Sequence, residues 1–127
     1  MRFAISPALA AALLVCAAGV RAQSSPTYDS YRQYSQATNQ AIDDMGTAND
    51  NDDVFAGCRA AERVMYNARY TANALVDLIE ETKADGSIDA DDRARRLQFY
   101  RSEWDDYNQL ARDASNGLDA CSGINYR

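Results

Sequence analysis

Two heptad seams run through this chain, and each has a cysteine at one end. Cys58, Ala61, Met65, Ala68, Ala72, Leu75 and Ile79 are spaced 3, 4, 3, 4, 3, 4. Ala90, Ala94, Leu97, Tyr100, Trp104, Tyr107, Ala111, Ala114, Leu118 and Cys121 follow at 4, 3, 3, 4, 3, 4, 3, 4, 3. Such a repeat marks a helix that buries one stripe against another helix, as in a coiled coil. If Cys58 faces Cys121 in an antiparallel pair, facing residue numbers sum to 179. Ala61 then meets Leu118, Met65 meets Ala114, Ala68 meets Ala111, and Ala72 meets Tyr107. Leu75 meets Trp104 and Ile79 meets Tyr100. Alanine against a large side chain fills space without voids. Alanines beside the cysteines also let the backbones approach to the separation of about 4.4–6.8 Å that a disulfide needs.

The rest of the chain fits the same architecture. The only prolines are Pro7 and Pro26, so nothing after Thr27 forbids helix outright. Glycine marks the breaks, at Gly46, Gly57, Gly86, Gly117 and Gly123. The reading is all-α: an antiparallel hairpin of helices over 52–84 and 89–120, closed by a Cys58–Cys121 disulfide. A third helix over 27–48 docks on it to make a small three-helix bundle. In that first stretch Tyr31, Tyr34, Thr38, Ala41, Met45 and Ala48 keep the 3, 4 spacing. Val64, Leu75 and Leu78 with Phe99 and Leu110 form the receiving groove. Asn49 to Asp53 reads as the connecting loop and an N-cap, and Ser87 or Asp89 caps the last helix. A monomer is favoured; the alternative is a dimer with the two cysteines bridged between chains.

The N-terminus reads as a cleaved export signal over 1–22. Arg2 precedes an apolar run, and Val20-Arg21-Ala22 supplies the processing site before Gln23. Cys16 as a lipid-bearing residue is disfavoured, because Leu13-Leu14-Val15 precedes it. Residues 23–127 then form one domain, exported to a periplasmic or secreted location where a disulfide persists. Of the 13 basic residues, Arg2 and Arg21 leave with the signal, so 11 remain against 19 acidic ones, a net charge of −8. Such a surface repels a phosphate backbone, which argues against nucleic acid as a partner. With the signal removed, no membrane attachment is expected.

The chain has no histidine. The usual general base, the commonest metal ligand and any Cys/His zinc site are thereby excluded. The adjacent carboxylates (Asp43–Asp44, Asp52–Asp53, Glu80–Glu81, Asp105–Asp106) point about 100° apart on a helix and do not share one site. No enzymatic activity and no cofactor are expected. Calcium is the one ion weighed: the run from Glu81 to Asp92 resembles an EF-hand loop in its second half. Gly86 stands at the sixth place, Asp85 at the fifth, Ile88 at the eighth, Asp89 at the ninth and Asp92 at the twelfth. The resemblance implies Asp85, Ser87, Asp89 and Asp92 as a weak candidate calcium site. It departs at Glu81, at Lys83 in a ligand place, and at the short Asp92. The simpler reading pairs Asp89, Asp91 and Asp92 with Arg93, Arg95 and Arg96 at i,i+4.

Tyrosines remain. Tyr66 and Tyr70 lie off the seam, four apart, flanked by Arg63, Arg69 and Asn73; Tyr31 and Tyr34 line the first stretch. Tyr and Arg are enriched at interfaces, so these four are the candidate protein-binding residues. The competing reading packs them between the first and second helices. The function expected is therefore a non-catalytic exported protein, a structural or protein-interaction module of the cell envelope or periplasm whose partner is another protein. An inhibitor or immunity-type protein that caps a basic enzyme, or a low-affinity calcium module at the 85–92 turn, are the alternatives.

Overall fold

The computed structural model describes residues 25–127; the stretch 1–22 read as an export signal, with its expected cleavage site, lies outside them. Three helices follow one another: α1 over Pro26–Asp50, α2 over Val54–Ala84 and α3 over Ala90–Asp119. No strand occurs among the described residues. Each helix starts on a side-chain cap. Ser25 accepts from the Tyr28 amide with Pro26 in the first turn, Asp53 from the Ala56 amide, and Asp89 from the Asp92 amide.

α1 passes the expected end at 48, and Gly46, read as a break, sits inside it. It runs on to Asp50, and Gly57 and Gly117 likewise sit inside helices. The stop comes from Asp52, a non-glycine residue at φ 54°. The Asp53 amide donates to Ala48 O at 2.9 Å and the Asp52 amide to Asn49 O at 3.3 Å, the paired bonds of a Schellman end. A Cβ added at Gly46 would have open space around it. Gly46→Ala is expected to stabilise the fold by about 0.5–1 kcal/mol, seen as a Tm rise of a few degrees in thermal unfolding.

α2 is the central helix, and both others pack along it. Its buried side is correspondingly wide. The seam residues Cys58, Ala61, Ala68, Ala72 and Leu75 make one part; Ala60, Val64, Thr71, Ala74 and Leu78 make the other. The second set is the one two-helix reasoning leaves spare, and it gives α1 its place. All five groove residues read from the sequence belong to the core: Val64, Leu75, Leu78 and Leu110 are buried, and Phe99 packs against them. From α1, Tyr31, Thr38, Ala41, Met45 and Ala48 are buried. Buried hydroxyls are satisfied locally: Thr38, Thr71 and Thr82 each donate to the carbonyl four residues back.

The disulfide forms within the chain, with Cα atoms of Cys58 and Cys121 5.9 Å apart. Leu118 packs beside Ala61, as the antiparallel pairing requires. One layer differs. Trp104 is 39 % exposed and lies outside the core, while Glu103 is 8 % exposed. The inward series of α3 is Tyr100, Glu103, Tyr107, Leu110 and Ala114, with Ala111 beside it. Adjacent residues on a helix point about 100° apart. α3 faces both α2 and α1, so its buried sector turns toward α1 and takes Glu103 in place of Trp104.

Candidate functional site

Two places hold unusual chemistry: a polar row between the outer helices, and the free face of α2. The polar row is assembled from α1 and α3. The Tyr31 hydroxyl donates to Glu103 Oε2 at 3.4 Å. One turn further along each helix, the Ser35 and Tyr107 hydroxyls lie 2.6 Å apart. Tyr107 is fully buried. Burial pushes the Glu103 carboxyl up to about 7, and the like charge of Asp106 adds to this against the opposing Tyr31 hydrogen bond. Burial pushes Tyr107 up to about 12 and holds Tyr31 above the ordinary tyrosine range, with Glu103 raising it further. Asp106 is raised too, by partial burial and by Asp105.

Of this row only Tyr31 was read as a candidate from the sequence, as a protein-binding residue; Ser35, Glu103 and Tyr107 were not. The row's signal was present: Tyr100, Glu103, Tyr107, Leu110 and Ala114 are themselves spaced 3, 4, 3, 4. A glutamate in that series argues against burial until a third helix supplies it with a partner.

The four candidate tyrosines part company. Tyr31 is 9 % exposed and belongs to the core. Tyr34 of α1 meets Tyr70 of α2 with ring centroids 5.1 Å apart, so this pair fastens α1 to α2. Tyr70 nevertheless stays 49 % exposed, and Tyr66 46 %. Phe55, 51 % exposed, continues the same face at the start of α2, three residues before Cys58. With a rise of about 1.5 Å per residue, Phe55, Tyr66 and Tyr70 mark a stripe about 22 Å long. Arg59, Arg63 and Arg69 line it and are exposed. The C-terminal tail folds back beside it: Arg59 donates to Tyr126 O at 3.1 Å, and Arg127 pairs with Glu62 at 2.8 Å. Arg63 pairs with Asp44 of α1 at 3.0 Å. An open cleft of about 320 Å³ lies at this end, lined by Asp44, Asp53, Arg59 and Arg63 among others.

The acidic turn spends its groups on its own backbone. Asp85 accepts from the Ser87 amide and hydroxyl at 2.8 and 2.6 Å, and those bonds hold its carboxyl below the usual range. Asp89 caps α3. The i,i+4 pairs read from the sequence are replaced. Arg93 turns back to donate to Asp85 O at 2.7 Å and Ile88 O at 3.3 Å, and Asp92 pairs with Arg95 at i,i+3. The turn carbonyls take Arg93 because Asp89 is already engaged as the cap. Among the described residues, no three of His, Cys, Asp and Glu converge on a common point. None of their helices is long and apolar enough to cross a membrane. No protein-family model matches the chain, and neither a curated protein nor a solved structure matches it.

Proposed function

We propose that this chain is a non-catalytic, exported interaction module that presents the outer face of α2 to another protein. The observation that carries the reading is the row of exposed aromatics, Phe55, Tyr66 and Tyr70, on a helix whose other sides are already packed. Aromatic and arginine side chains on a rigid support are the usual anchors of protein recognition. The arginines along this face disfavour a basic partner there, which sets this reading apart from an inhibitor of a basic enzyme. Export is part of the proposal. An intrachain disulfide suits an oxidising compartment, and the leader read over 1–22 supplies the route.

Tyr66→Ala tests the surface. No ring or hydrogen-bond partner holds Tyr66 among the described residues, and it is 46 % exposed. The variant should shift stability by less than about 0.5 kcal/mol. It should also weaken capture of the partner from envelope or secreted material by at least about tenfold, the loss of a modest anchor. Chemical denaturation and a quantitative pull-down measure the two effects. A variant that melts, or one that captures as wild type does, overturns the surface. Export is tested by sequencing the N-terminus of the mature protein, which should begin at Gln23; an unprocessed chain kept in a reducing compartment overturns it.

A further inference from the structure

We infer that Glu103 is a pH-operated latch, holding α1 onto the disulfide-closed α2–α3 hairpin when its carboxyl is protonated and loosening α1 when it ionises. The geometry starts from its position. Glu103 is 8 % exposed, on the face of α3 turned toward α1. Its hydrogen-bond partner is the Tyr31 hydroxyl of α1 at 3.4 Å. Among the described residues no arginine or lysine pairs with it. A buried carboxylate without a cation is costly, whereas the neutral acid is accommodated.

Burial and the neighbouring charge weigh against its ionisation, and the Tyr31 hydrogen bond opposes them only in part. From its own helix come Asp106, whose charge opposes ionisation, and Tyr107. From α1 comes Tyr31, with the Tyr28 ring tilted against it at 5.8 Å. The buried residues of α2 are Gly, Ala, Val, Leu, Thr and the bridged Cys58, so the central helix offers no compensating charge. A carboxyl raised to about 7 from 4.5 favours folding fully below pH 4.5 and loses that contribution as pH rises through 7.

Relief comes through α1 because the other two helices are tied at both ends. The Cys58–Cys121 bridge joins one end of the α2–α3 pair. The turn clamped by Arg93 joins the other. α1 is joined covalently to them at one end, through the short segment after Asp50, and its large core side chains are the buried Tyr31 and Met45 with Tyr28 and Ile42 half-buried beside them. Its outward bonds, Arg63 to Asp44 and Thr27 and Ser25 to Glu81, are exposed and contribute little. Movement of α1 lets water reach Glu103 and uncovers the groove of Val64, Leu78 and Leu110.

Hydrogen exchange of the oxidised protein between pH 5.5 and 8.5, corrected for intrinsic exchange, tests the latch. A carboxyl moving between 4.5 and about 7 lowers the protection of α1 amides about thirtyfold over that range. Amides in the middle of α2 and α3 should change less than about threefold. In Glu103→Gln the α1 protection should be flat with pH, because the amide cannot ionise yet still accepts from Tyr31. Asp106→Asn removes the like charge at a less buried position and should move the midpoint to lower pH. Flat wild-type protection, an unchanged fall in Glu103→Gln, an unmoved midpoint in Asp106→Asn, or an equal fall across all three helices each overturns it.

Discussion

Breaking the Cys58–Cys121 bridge should cost this protein about 3–4 kcal/mol. The bridge spans a sequence separation of 63 residues, and closing a loop of that size removes about 4 kcal/mol of chain entropy from the denatured state. Helix surviving in the denatured α2 and α3 segments lowers the figure somewhat, since a partly ordered chain has less entropy to lose. The native side loses little. Ala61, Ala60, Met45 and Leu118 pack around the same end and keep the helices together. The Cys58→Ala/Cys121→Ala double variant should therefore fold with the same helix content and a much lower midpoint in denaturant. The Tm should fall by roughly 15–25 °C for a domain of this size. Far-UV circular dichroism with urea unfolding measures both. A midpoint within error of wild type would mean that the bridge does not constrain the denatured chain as a long loop should.

Tyr107→Ala should cost about 3–5 kcal/mol, the range for removing a large buried ring. Tyr107 is fully buried and shares its core with Ala72, Leu75 and Leu110. The alanines around it cannot reach into the space it would leave, so the cavity term applies nearly in full. Tyr107→Phe separates the ring from the hydroxyl. It loses the 2.6 Å bond to Ser35, worth about 1 kcal/mol, while Ser35 is half-buried and can turn to water. Tyr107 and Cys121, just past the end of α3, lie 14 residues apart, about 20 Å at the helical rise, so the two losses should add. Together they approach the 5–15 kcal/mol that holds a typical domain folded. The triple variant Cys58→Ala/Cys121→Ala/Tyr107→Ala should be largely unfolded at 37 °C; a cooperative melt above 50 °C would contradict the sum.

Much of this fold was legible because two independent patterns had to agree. The seams gave a phase, the cysteines gave a fixed point, and the sum of 179 made every other layer follow. The caps were legible for a local reason: Asp53 and Asp89 bond to amides three residues on. Glycine was a poorer guide. Gly46 and Gly117 lie within helices, because a single exposed glycine costs a helix only about 1 kcal/mol, less than the packing on either side returns. The stop that ends α1 falls on Asp52, which can adopt the left-handed conformation without announcing it in the sequence.

The sites were less legible than the frame. Tyr66 and Tyr70 could be placed off the seam from spacing alone, but Tyr31 and Tyr34 share a helix and have different fates. Tyr31 enters the core toward Glu103, while Tyr34 closes on Tyr70. Helical spacing fixes an angle on one helix, not what stands opposite it. The acidic turn shows the same gap. Its carboxylates resembled a calcium loop in part and fitted a set of i,i+4 ion pairs more simply, and the structure spends them on the Ser87 amide, the Asp92 amide and Arg95.

The two seams with their cysteines thus determined the hairpin, its register and its clamp, since a seven-residue repeat and a bond of fixed reach are properties of the chain itself. What the tertiary structure alone decided was the rotation of α3. A pair of helices would have buried Trp104, as 3, 4 spacing against one partner demands. A third helix lying alongside shifts the buried sector, so that Trp104 reaches solvent and Glu103 is enclosed against Tyr31. The burial of a carboxyl depends on how many neighbours surround its helix, and that number is a property of the assembled bundle.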